Sequence, residues 1–182
     1  MADGFYSAVG AASRAAMGLP PKPDAPPVTV TWTHAVTGIV VLAILQAAII
    51  VWSLSSMPLE ALRVSVDFGT VAIVTLAAPF VVLGAAAVLL KREQLPAIYL
   101  FMALVLAISQ IALLALGAFG VGSAGPALVG LVGYFSARAT KSLLGVGWGS
   151  AIPIGAAVAL AMFAAQSLIL VLPTGQAILA AA

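Results

Sequence analysis

The chain alternates between long apolar runs and short polar breaks, and the length of the runs sets the fold class. Runs at 34–56, 68–90, 96–118 and 151–172 contain no Asp, Glu, Lys or Arg. At 1.5 Å per residue, a helix of about 20 residues crosses the roughly 30 Å hydrocarbon core of a bilayer. Barrel strands would alternate apolar and polar positions instead, and these runs do not. The pattern predicts an all-α integral membrane protein.

A weaker run, 126–144, holds Gly130 and Gly133 and ends on two cations, Arg138 and Lys141. Its 19 residues give about 28 Å, just enough for a span. About five transmembrane helices are therefore expected, or four if this segment is a loop. Cytoplasmic loops are enriched in Lys and Arg, so the cations arbitrate. With five spans and the N-terminus inside, Arg14, Lys22, Lys91, Arg92, Arg138 and Lys141 share one side and Arg63 stands alone on the other. With four spans the division is four against three. Five spans, with the N-terminus in the cytoplasm, is the expectation.

Before the first run, residues 1–19 read as a short amphipathic helix lying in the interface. Phe5, Val9, Ala12 and Ala16 fall on one face, Asp3 is placed to cap the start, and Arg14 would reach headgroups. Residues 20–33 form a Pro-rich linker containing "PPKPDAPP". Proline fixes φ and removes a donor, so an extended spacer of about 3 Å per residue is expected, holding the helix away from the bundle. Within the bundle, 34–172, Trp32 and Trp52 would anchor the first span. "MPLEALRVSVD" would be a loop, Pro79 would kink the second span, and "KREQ" would be a turn. The apolar tail 173–182 closes the chain.

Composition removes whole classes of chemistry. Hydrophobic residues make up 64% of the 182 and charged residues 7%, with mean hydropathy +1.24; soluble domains carry about 25% charged residues. There is no cysteine, hence no disulfide, thiolate metal site or iron–sulfur cluster. The one histidine, His34, cannot supply a bis-histidine haem site. A lone histidine at the mouth of a span could ligate a chlorin or haem axially, but a hydrogen bond to a headgroup or a carbonyl is the expectation. Seven dispersed Lys and Arg make no nucleic-acid surface. No catalytic residue, cofactor or metal site is expected. The Ala-, Gly- and Val-rich, Lys-poor composition resembles that of a high-GC bacterium, and a bacterial inner membrane is the expected location.

Two groups of polar residues are the candidate sites. Lys91, Arg92, Arg138 and Lys141 would form a basic rim for lipid headgroups or act only as topology determinants. Gln46, Gln110 and Gln166 put one carboxamide in each of three spans, where interhelical hydrogen bonds hold helices together or line a path for a solute. Small residues recur in "LGAAAVLL", "GLVG" and "GAAVALAMFAA", so tight helix packing is expected, some of it against other integral membrane subunits.

The layout of a cytoplasmic N-terminal segment, five spans and an outer C-terminus is similar to Yip1-family proteins. The stretch "LLGVGWGSAIPIGAAVALAMFAAQSLILVLP" resembles the end of such a domain, over about a fifth of the chain. That resemblance implies a membrane-organising protein. The residues themselves favour a non-catalytic subunit or scaffold of a larger membrane complex, with a transporter of a neutral or lipid-like solute as the alternative. Membrane lipids and other subunits are the expected partners.

Overall fold

The computed structural model describes residues 2–21, 28–55, 62–90, 94–119 and 125–167. Among them are six helices: α1 (Ala2–Ala16), α2 (Trp32–Ser55), α3 (Leu62–Leu89), α4 (Leu95–Ala118), α5 (Gly125–Leu144) and α6 (Trp148–Ser167). Four of them, α2, α3, α4 and α6, are long and apolar enough to cross a membrane. The chain is a multi-pass, all-α membrane protein.

Helices α3, α4, α5 and α6 form a ring, with α2 laid on α4 and α1 laid across α4 and α5. The core between them is built from Leu83, Ile98, Met102, Leu106, Val132, Leu144 and Val158. Lipid chains are as apolar as these side chains, so the association rests on close packing and interhelical hydrogen bonds.

Three contacts show the closeness. The Gly133 and Gly155 backbones touch where α5 crosses α6; a Cβ on Gly155 would lie 2.5 Å from the Gly133 carbonyl oxygen and 2.6 Å from Ala137 Cβ. Gly38 lets α2 approach α4, since its Cβ would lie 2.8 Å from Leu100 Cδ1. Gly84 leaves room for Tyr99, whose hydroxyl donates to the Phe80 carbonyl oxygen at 3.0 Å. Tyr99 also takes the rings of Trp32 and Phe80 edge-on, at 5.7 and 5.4 Å, tying α2, α3 and α4 together at one end.

α5 is a helix and not a loop. It runs antiparallel to α6, with Gly133 beside Gly155 and Lys141 beside Trp148. Its 20 residues measure about 30 Å, so it has the length of its neighbours. Arg138, Lys141 and several Gly, Ser and Thr residues lower its apolarity, and neighbouring helices cover Ser136 and Thr140 completely.

Several expectations are corrected. α3 begins at Leu62, so Arg63 and Asp67 belong to a helix where a loop was expected. No Gly or Pro lies between Leu62 and Asp67 to stop it. Pro79 lies inside α3, where it was expected, and the helix runs on through it; neighbouring helices and side chains allow proline inside membrane helices. Asp3 lies inside α1, which starts at Ala2. α6 starts at Trp148, three residues before the expected position. Lys22, "KRE" at 91–93, most of the proline segment and the tail 173–182 lie outside the described residues.

The largest difference concerns α1. The linker was expected to hold it away from the bundle, yet α1 is seated on α4 and α5. Ala8, Ala12 and Ala16, spaced by four residues, are almost completely buried. That spacing puts three methyl groups in one line along a helix, a smooth stripe on which Leu100 packs.

Candidate functional site at the basic end of the bundle

The starts of α2, α4 and α6, the ends of α3 and α5, and α1 all meet at one end of the molecule. α1 finishes there in a Schellman turn. Gly18, at φ 67°, donates to the Ala15 carbonyl at 3.0 Å and Leu19 to the Arg14 carbonyl at 2.8 Å. A glycine takes this left-handed conformation without a Cβ clash. The Arg14 side chain was expected to reach headgroups; instead its Nε donates to the Pro20 carbonyl oxygen at 2.9 Å and holds the exit of the turn.

The carbonyl of Met17, just past the end of α1, is taken by α5. Arg138 Nη2 donates to it at 2.9 Å, across 121 positions of sequence. A cation at a helix C-terminus also meets the negative end of the helix dipole. Arg138 is only half-buried, but its Nε is shut away and has no hydrogen-bond partner, and the same holds for Ser13 Oγ on α1. Lys141, one turn on, lies 4.5 Å from the centre of the Trp148 ring, within cation–π range. Both described members of the expected basic rim therefore have partners within the chain. Lys91 and Arg92 lie outside the described residues.

Beside this cluster is an open, mostly apolar cleft of about 380 Å³ between α1 (Ala11, Ala12, Ala15), Val28–Val30, the start of α4 (Gln94, Pro96, Ala97) and Leu143. His34 faces its own helix start. Thr31 N–H donates to His34 Nδ1 at 3.2 Å, and the Thr31 carbonyl accepts from Ala35 N–H at 3.2 Å. This is a capping arrangement with histidine in the place usually held by Glu or Gln. With Nδ1 accepting, the ring proton is assigned to Nε2.

The three glutamines do not form one cluster. Gln46 is buried on the stripe Ala35–Gly38–Leu42–Gln46 that faces α4, and its Oε1 has no partner. Helices α2 and α4 run parallel, with Trp32 against Tyr99 and Gly38 against Leu100 and Ala103. Counting on from that contact puts half-buried Gln110 level with Gln46. Gln166 is on the exposed side of α6, so the expected interhelical role does not hold for it. Its position lies next to the covered stripe of Ala151, Val158, Met162 and Ala165 but outside it.

Sequence reasoning missed the α1 seat, Ser13 and the Met17 carbonyl. The four-residue spacing of Ala8, Ala12 and Ala16 was the available signal, since such a stripe suits a helix as well as it suits lipid.

No family model, curated protein or solved structure matches the chain, and the resemblance to Yip1-family proteins gains no support from these comparisons.

Proposed function

We propose that the chain is a non-catalytic multi-pass subunit or scaffold of a larger assembly in a bacterial inner membrane. The observation that supports this reading is the outer face of α6. Gly149, Pro153, Ala156, Ala157 and Ala164 are exposed along it, flanked by Ile152, Leu160 and Phe163. The covered seam at Gly133 and Gly155 shows what such a surface does against a second helix: backbones come together and dispersion contacts multiply. Gly133 and Gly155 are thus used inside the chain, and the outward face of α6 is left for a partner helix. α1 uses its alanine stripe on its own bundle, so a partner would meet its other side, at Tyr6, Ser7 and Gly10.

Ala157→Leu is expected to remove a co-isolated integral membrane partner in mild detergent and to leave the unfolding midpoint unchanged. A wild-type chain that runs alone as a monomer from native membranes would sink the subunit reading.

The basic end, with Arg14, Arg138 and Lys141 and with α1, is assigned to the cytoplasm by the positive-inside rule. A single cysteine at exposed Gly149 should resist an impermeant thiol reagent in intact cells; rapid labelling there reverses the orientation.

A second reading, a permease-type component for a neutral or lipid-like solute, is favoured by the unpartnered Gln46 Oε1. A buried acceptor without a donor costs about 1–3 kcal/mol. Under the scaffold reading Gln46→Leu is neutral or stabilising by up to about 1 kcal/mol, and Gln166→Leu, on the exposed side, is silent. Under the transport reading Gln46→Leu keeps stability and loses solute flux. Thermal unfolding together with vesicle uptake separates the two.

A further inference from the structure

Arg138 holds α1 with half of its guanidinium fork. On that planar group the Nε–H and an Nη2–H point the same way and match the two oxygens of a carboxylate or phosphate. Nη2 donates to the Met17 carbonyl, while Nε is buried with no acceptor. The Met17 carbonyl oxygen accepts from Nη2 and leaves Nε unmatched. Ser13 Oγ, one turn back from Met17 along α1, is a second buried group with no partner.

We propose that this half-filled fork is a phosphate site that competes with the α1 latch: a phosphate oxyanion takes Nε and Nη2 together, displaces the Met17 carbonyl and releases α1 from its seat. Charge-assisted bonds from a guanidinium to an oxyanion are roughly twice as strong as bonds between neutral groups, and the exchange relieves an unfilled donor. α1 presents a narrow stripe of alanine methyls, with Phe5 and Val9 packed beside it, and the Arg138 bond fixes its C-terminal end. Two sources supply such an oxyanion at this end of the bundle, the headgroup of an anionic lipid and free phosphate. The site is independent of whether the chain has a protein partner.

The test uses the full chain, which has no native cysteine, with spin labels at Ser7→Cys and Ile152→Cys, both exposed positions. The α1-to-α6 distance distribution is recorded in phosphatidylcholine vesicles, in the same vesicles with phosphatidylglycerol, and in phosphatidylcholine with inorganic phosphate. A several-fold rise in the released, long-distance population is expected with phosphatidylglycerol. A rise with inorganic phosphate as well identifies the phosphate group alone as sufficient; a rise with the lipid only identifies the headgroup. Arg138→Gln, which can still donate one hydrogen bond to Met17, should abolish the response, and Lys141→Gln should keep it. If Arg138→Gln is already released in neutral lipid, Arg138→Lys decides, because it keeps the charge without the fork and should respond weakly. An unchanged distribution in the wild type overturns the proposal. So does an equal response in the Arg138 variants, which would make the effect one of general surface charge.

Discussion

Gly155→Leu is expected to force α6 off α5 and to unfold the bundle. Even the first added carbon would meet the Gly133 carbonyl oxygen and Ala137 Cβ inside contact distance. Both obstacles are backbone or a methyl fixed to it, so no side chain can swing away. One carbon too many in a packed core costs about 1–3 kcal/mol; a leucine must displace a whole helix, so the loss should exceed that range. Gly130, on the facing helix α5, supplies the control. A Cβ there meets nothing within 4 Å, and Gly130→Ala should be neutral or gain up to about 1 kcal/mol from helix propensity. Unfolding in mixed detergent micelles reads both. Equal stability of Gly155→Leu and wild type would show that the α5–α6 seam is not the tight contact described.

Ala12→Leu should unseat α1 and leave the rest of the protein standing. Ala12 is 1% exposed against Leu100, and a branched side chain does not fit where a methyl is covered. The overpacking range of about 1–3 kcal/mol corresponds to roughly five- to 140-fold more open α1, at 1.4 kcal/mol per tenfold. Limited trypsin digestion at Arg14 reports that population, because proteolysis follows the open fraction when closing is fast. Lys22 precedes a proline and is a poor competing site. The expected result is cleavage at Arg14 accelerated by that factor, with the unfolding midpoint of the bundle little changed. Cleavage at the wild-type rate would mean that the alanine stripe does not hold α1; collapse of the whole bundle would mean that α1 is part of its core.

Most of the fold is written in the pattern of residues. A chain with about twenty apolar residues between breaks has few solutions in a bilayer, since each backbone N–H and C=O must be satisfied within its own segment. For that reason the expected starts and ends of α2 and α4 fall within two residues of those observed. α5 was legible as a run of helix length but not as a span by hydropathy, because Arg138 and Lys141 depress the apolar signal of the helix that carries them and leave it outside the four apolar enough to cross a membrane. α3 began earlier than expected because charges at its start read as loop, although no helix breaker separates them from the span.

What the cations and glutamines do was decided by tertiary structure. Composition placed Arg138 and Lys141 at a membrane surface, where water or headgroups would satisfy them. The structure satisfies one with the Met17 carbonyl and the other with the Trp148 ring. Those partners lie across a helix crossing or around a turn, and no periodicity within a single segment encodes them. The glutamines separate for the same reason. Periodicity assigns each to a position around its own helix, but only the neighbouring helices determine that Gln46 is covered and Gln166 is not. α1 is the clearest case. Its alanine stripe determines a helix with one smooth face, and that face fits lipid and protein equally well. The surface offered by α4 and α5, with Arg138 placed to receive the helix end, determines which of the two it meets.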